Sequence, residues 1–218
     1  MKTGLIDSIS FLKLAFSDYI AARVLITKGE VFNGMILAST SVEKYLKALL
    51  AIKGVKKPVH LSEFDKLHEL LSANGISVLN NLDEKFIGLL GTLYNFRYHD
   101  NTKKDVDGVG FLVNQVFGEL DYTVNHIEAS ITITSKIDGK VWNSPYKLAV
   151  QSNDARIMEN NYLLNGINKN EYMSRDSLAF VCLVKDKEVI QDYLPQLIRP
   201  TNGYNGSVLI LDNFRKNP

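Results

Sequence analysis

A mainly helical fold with a smaller α+β segment at its C-terminal end is what this sequence predicts, on three observations. Through most of the first 131 positions, apolar residues recur at alternating spacings of four and three, the period of a helix face buried against neighbours. Gly29, Gly54 and Gly75 fall where those stripes stop, as glycines closing helices do. Beyond residue 131 the period weakens, Asn and Gly rise, and short β-prone runs appear.

The elements follow in order. Asp7 or Ser8 is placed to cap a first helix over residues 8–28, with Leu12, Phe16, Tyr19 and Ile20 on one face and Gly29 as its stop. The second helix, 30–53, carries Val31, Met35, Ala38, Val42, Tyr45, Leu49 and Ile52 as one stripe, widened by Phe32, Ile36, Leu46 and Leu50. Glu43 and Lys47 are four apart, in the favourable order for an ion pair, and are expected on its wetter side. So short a link predicts an antiparallel helix hairpin. Lys53, Lys56 and Lys57 then cluster before Pro58, most simply as a solvated turn.

A third helix, 62–73, points Leu61, Phe64, Leu67 and Leu71 inward and stops at Gly75. His60 and His68 are eight apart, not four, so no helical metal pair is expected. Asn81 with Glu84 resembles a capping box opening a fourth helix, whose stripe is Leu82, Phe86, Leu89, Leu93 and Phe96. Gly88 and Gly91 cost it about 1 kcal/mol each against Ala, which predicts close approach of a neighbour. A fifth helix, 107–130, lines up Val109, Val113, Val116, Leu120, Val124 and Ile127, completing a bundle over 1–131 that should stand alone. In the extension 132–218, strands are expected over 147–150, 178–184 and 207–211. Short helices are expected over 154–164 and 187–198, the last kinked or ended near Pro195.

Composition narrows the function classes. The chain has 218 residues, 45% apolar and 22% charged, and a formal net charge of +1, ordinary for a globular protein and wrong for a strongly basic nucleic-acid coat. Split after residue 131, the first part holds 14 Lys and Arg against 15 Asp and Glu. Any nucleic-acid contact must therefore come from a local patch. The lone Cys182 has no internal disulfide partner and sits in an apolar run, so a buried inert thiol in a reducing compartment is expected. Asp7, Lys13 and Asp18 interrupt the only leader-like stretch, and no apolar run reaches the roughly 18 residues of a membrane span. A cytoplasmic protein without membrane insertion is the expectation.

With the helices placed, residues 15–54 (AFSDYIAARVLITKGEVFNGMILASTSVEKYLKALLAIKG), then HLSEFDKLHELL and LYNFRYHD, resemble the HEPN family (higher eukaryote and prokaryote nucleotide-binding domain). Asp18, Tyr19 and Arg23 look like that family's first helix, and EKYLKALL from Glu43 like its second-helix signature. His60 takes the place of the histidine that commonly begins its third helix. The resemblance covers residues 11–131, implies an up-and-down five-helix bundle, and leaves 132–218 without a counterpart. It also implies a homodimer, a nucleotide or RNA ligand, and a nucleotidyltransferase-like partner protein.

Arg97, Tyr98, His99 and Asp100 form the densest cluster of candidate site residues, with Lys103 and Lys104 close behind. A fixed cation, a phenol, an imidazole and a carboxylate suit phosphate binding or acid/base work. Ribonuclease members of the family separate their Arg and His by four to six residues, whereas Arg97 and His99 are separated by one. On a helix that spacing turns the two side chains about 200° apart. Arg97-Tyr98 resembles instead the branch whose motif ends Arg-Tyr-Pro, with His99 in the proline position. The expectation is a non-catalytic binding module with neither metal nor cofactor. The alternative is a metal-independent endoribonuclease of a toxin–antitoxin or defence system, using Arg97 and His99.

Overall fold

The computed structural model describes residues 2–55, 60–95, 106–134, 139–185, 188–200, 204 and 206–210. The chain is mainly helical, with eight α-helices and a small antiparallel sheet among the described residues. Helix α1 (Lys2–Thr27) and helix α2 (Val31–Ile52) form the expected hairpin, turning at Gly29 with φ +88°. The contact is close: a Cβ on Gly34 would lie 2.6 Å from Ile26 Cγ1. At the far end a Cβ on Gly4 would lie 2.7 Å from the Ala51 carbonyl oxygen, so a first turn bearing glycine can pack against the end of α2. Helix α1 accordingly begins at Lys2, and Asp7 and Ser8 lie inside it and do not cap it.

The stripe of α2 is buried from Val31 to Leu49, and only its last member, Ile52, emerges. A 3-10 turn, Leu61–Glu63, leads into α3 (Phe64–Ala73), which buries Leu67 and Leu71. A second 3-10 turn, Val78–Asn81, leads into α4 (Glu84–Asn95). The cap of α4 is Asp83, whose Oδ1 accepts the Phe86 amide at 2.7 Å. Asn81 belongs to the preceding turn, so the expected capping box sits too early by two residues. Leu82, Phe86, Leu89 and Leu93 are buried as expected, while Phe96 falls outside the described residues. Gly88 faces open space, so no neighbouring helix compensates its cost.

The largest departure precedes α5 (Val113–Ser130). Residues Val106–Leu112 form strand β1 and not the first turns of a fifth helix. Two glycines make these residues poor helix formers, and β4 (Ser177–Lys185) supplies an antiparallel partner that sets Val109 opposite Cys182 and Phe111 opposite Phe180. Val109 reaches the core either way, which is why it lines up with the helical stripe.

Beyond residue 131, β2 (Ile133–Thr134) pairs with β3 (Val141–Trp142). Helix α6 (Pro145–Gln151) replaces the strand expected at 147–150: Ser144 caps it and Pro145 opens it. Of the expected helix 154–164 only α7 (Ala155–Met158) forms, and α8 (Lys169–Met173) follows. Residues Glu188–Ile198, expected as a helix, are strand β5, paired with β4 in a sheet ordered β1-β4-β5. Pro195 is tolerated there because β5 is an edge strand with an irregular register near that end. In place of a strand over 207–211, a single bridge joins Ile210 to Phe111.

The main core crosses the whole fold, with Tyr146, Ile157, Phe180, Cys182 and Val208 packed into the same cluster as α2 and α4, while Tyr162, Tyr172 and Met173 form a second, smaller cluster. Both the sheet and the core therefore cross residue 131. Burial pushes the Cys182 thiol up to about 12, consistent with an inert packed side chain. No helix among the described residues is long and apolar enough to cross a membrane.

Candidate functional site

Arg97, Tyr98, His99, Asp100, Lys103 and Lys104 all lie outside the described residues, which stop at Asn95 and resume at Val106. The structure does describe what stands beside the chain as it enters that segment. Tyr94, near the end of α4, stacks on His60, with ring centroids 6.4 Å apart and planes 21° from parallel. His60 precedes the 3-10 turn that opens the third helical region, and its Nδ1 lies 3.2 Å from Glu43 Oε1 on α2.

Glu43 is not on a wet face. It is 8% exposed and fully engaged: Lys47 Nζ donates to Oε1 at 2.6 Å, and the Leu61 amide donates to Oε2 at 2.9 Å. The expected Glu43–Lys47 pair thus forms, but its carboxylate is turned into the junction of α2 with the Leu61 turn. Burial would raise the Glu43 pKa; the Lys47 ammonium, the Leu61 amide and the nearby imidazole outweigh it and lower the pKa below the ordinary glutamate value. The His60 side chain itself is half exposed. Lys44 of the α2 signature turns toward α1 instead. Lys44 donates to Asp18 Oδ2, to which Thr40 Oγ1 also donates at 2.9 Å.

Tyr19 and Arg23 enter a different arrangement, in the core. Arg23, 2% exposed, pairs with Asp121 of α5, whose Oδ1 also accepts the Tyr19 hydroxyl at 2.7 Å. Its Nε donates to the carbonyl of Arg156 at 3.0 Å, and its Nη2 to the carbonyl of Glu159. Desolvation raises the Asp121 pKa, and Arg23 and Tyr19 oppose that rise. Two further carboxylates of α5 are buried. Glu119 accepts from Lys169 and Tyr204, and Glu128 accepts the Ser144 hydroxyl at 2.6 Å. The sequence did carry a signal for two of the three. Asp121 and Glu128 are seven apart, on one line of a helix whose neighbouring line is apolar.

No protein-family model matches the chain, and no curated protein or solved structure matches it.

Chemically the two clusters differ in what they leave free. Each of the three Arg23 guanidinium nitrogens donates to a protein oxygen. At the α2–α4 junction a buried carboxylate orients a half-exposed imidazole beside an aromatic ring, an arrangement whose second ring nitrogen has no partner among the described residues.

Proposed function

We propose that this chain is a non-catalytic, HEPN-like binding module that takes a nucleotide or nucleic acid through Arg97 and its neighbours, and that it works as a homodimer. One observation carries the reading: the residues of three separated segments of the resemblance meet at one place. Glu43 of the α2 signature bonds the imidazole of His60, and His60 stacks on Tyr94, three residues ahead of Arg97. Arg97 is charged at every accessible pH and suits a phosphate held at two points. Lys103 and Lys104 add attraction that salt screens. A nucleotidyltransferase-like partner and a five-helix up-and-down arrangement belong to the same reading.

Fluorescence anisotropy with labelled single-stranded RNA and a labelled adenine nucleotide tests it. The expected result is weak, salt-sensitive binding, reduced about tenfold by Arg97→Ala, the loss of roughly one charge-assisted contact. The purified protein should leave the RNA intact. Unchanged affinity in R97A refutes the binding role, and RNA cleavage abolished by His99→Ala favours the ribonuclease alternative. Light scattering should give about twice the 24.5 kDa chain mass.

A further inference from the structure

Glu43 is a carboxylate acceptor, so a 3.2 Å contact to His60 Nδ1 requires the proton on that nitrogen. That bond uses one edge of the ring. The stack on Tyr94 uses one face, and the backbone position just before the Leu61 turn fixes the other end of the side chain. What no described residue bonds is Nε2, on the side of the ring away from Glu43, in a side chain that is 50% exposed. From these contacts we infer that His60 is a phosphate-contacting residue, presenting Nε2 to an anionic oxygen, and that Glu43 is its positioning residue. This deepens the binding reading above and rests on it for the ligand class.

The surroundings favour an anion over a metal ion. Both Glu43 oxygens are occupied by donors, and the Lys47 ammonium, 2.6 Å from Oε1, would repel a cation. Among the described residues, the charged groups facing the imidazole are Glu43 and Lys47 from α2 and Glu63 from the following turn, paired with Lys66 of α3; Tyr94 faces it from α4. Two carboxylates and two ammonium groups cancel. A neutral ring therefore offers a polar edge, and a protonated one adds a positive charge that no further described carboxylate offsets. A phosphate oxygen would accept the Nε2–H in a charge-assisted bond whose donor is already oriented. A free nucleotide and an RNA backbone both carry that group.

Nuclear magnetic resonance of the intact chain at pH 6.5 tests the assignment by following the imidazole ring signals while inorganic phosphate, 5′-AMP or a short 5′-hydroxyl RNA is added. The signals assigned to His60 should move and saturate, while those of His126 stay. A response to AMP and phosphate alone identifies a terminal phosphate as the source; a response to the RNA identifies the backbone diester. His60→Gln should weaken binding of the responding probe about tenfold, as loss of one charge-assisted bond does. At pH 8, long-range proton–nitrogen spectra should show a single Nδ1–H tautomer in the wild type and a mixture in Glu43→Gln. That signature does not follow from a merely structural glutamate.

If the His60 signals stay fixed while R97A-sensitive binding is seen, the inference fails and the binding reading stands. If they move but R97A binds as well as the wild type, the inference stands and the Arg97 reading fails. If no probe binds, both fail. Should His60→Gln not fold, the wild-type titration and its tautomer spectrum still decide.

Discussion

Asp121 and Glu43 are both helical carboxylates, both shielded from water and both bonded to a cation, yet they organise two opposite kinds of place. Asp121 is wholly enclosed. Its cation, Arg23, turns its Nε and Nη2 to the backbone of residues 156 and 159, so the network ties α1, α5 and the later segment together. Glu43 sits under a rim. Its partners are an ammonium, a backbone amide and an imidazole that continues outward to half exposure. The Asp121 network spends its Oδ1 and the three Arg23 nitrogens on holding the chain, with the buried Oδ2 unpartnered among the described residues, whereas the Glu43 network passes an orientation to an exposed edge. Polarity and burial alone would have ranked Asp121 as the better site, because its neighbours are more perturbed. Following each donor to its acceptor reverses that ranking.

The largest test of the contrast is to cut the chain after Ile131. That removes β4 from β1, the two carbonyls that finish Arg23, and the Val208 and Leu209 amides that Asp83 and Gln115 accept. The expected product does not unfold cooperatively in urea, followed by circular dichroism. A sharp transition would show that α1–α5 hold a core without the crossing network. Next in size is Asp121→Ala in the full chain. Stranding the buried Arg23 charge should cost about 3–5 kcal/mol, against far less for removing an exposed partner. A loss under about 1 kcal/mol in the same urea experiment would mean that the enclosed pair is not what ties the segments.

How much of this was legible beforehand follows the same division between local and long-range causes. The α1–α2 hairpin, its glycine turn and the buried stripe from Val31 to Leu49 are readable because a buried helix face leaves its period in the sequence. Residues 107–112 and 188–198 fit helices by sequence but form strands, because β4, some 70 residues beyond one and directly ahead of the other, pairs with both. Residues 147–150 look extended by composition, but Ser144 and Pro145 start a helix just upstream, a local signal that was present and outweighed. Of the candidate site, the sequence singled out Glu43, Lys47 and His60 separately. It could not join them, since their meeting depends on how the Leu61 turn returns to α2. The Arg97 cluster lies outside the described residues, so its geometry adds nothing to either side of that account.

The smallest effect separates the two kinds of carboxylate by sign. Glu43 has a lowered pKa, so its ionised form is the one the fold prefers. Its stability contribution is complete above the unfolded value near 4.5 and is lost as the pH falls through the lower folded value. Glu128 of α5 is the enclosed counterpart: desolvation raises its pKa despite the Ser144 hydroxyl, so the fold prefers the protonated form. Its contribution is complete at low pH and is lost as the pH rises through the raised folded value. Glutamine resembles a protonated glutamate in shape, and the two substitutions should therefore diverge. Glu43→Gln should lose about 1 kcal/mol at pH 7, the scale of one net hydrogen bond, and the deficit should shrink as the pH drops below the carboxylate range. Glu128→Gln should be neutral or stabilising at pH 7, with the wild type overtaking it as the pH falls. Urea unfolding of the three proteins across this range measures both slopes. Parallel slopes would show that the rim and the core treat their carboxylates alike, and the contrast drawn from the bonding partners would fail.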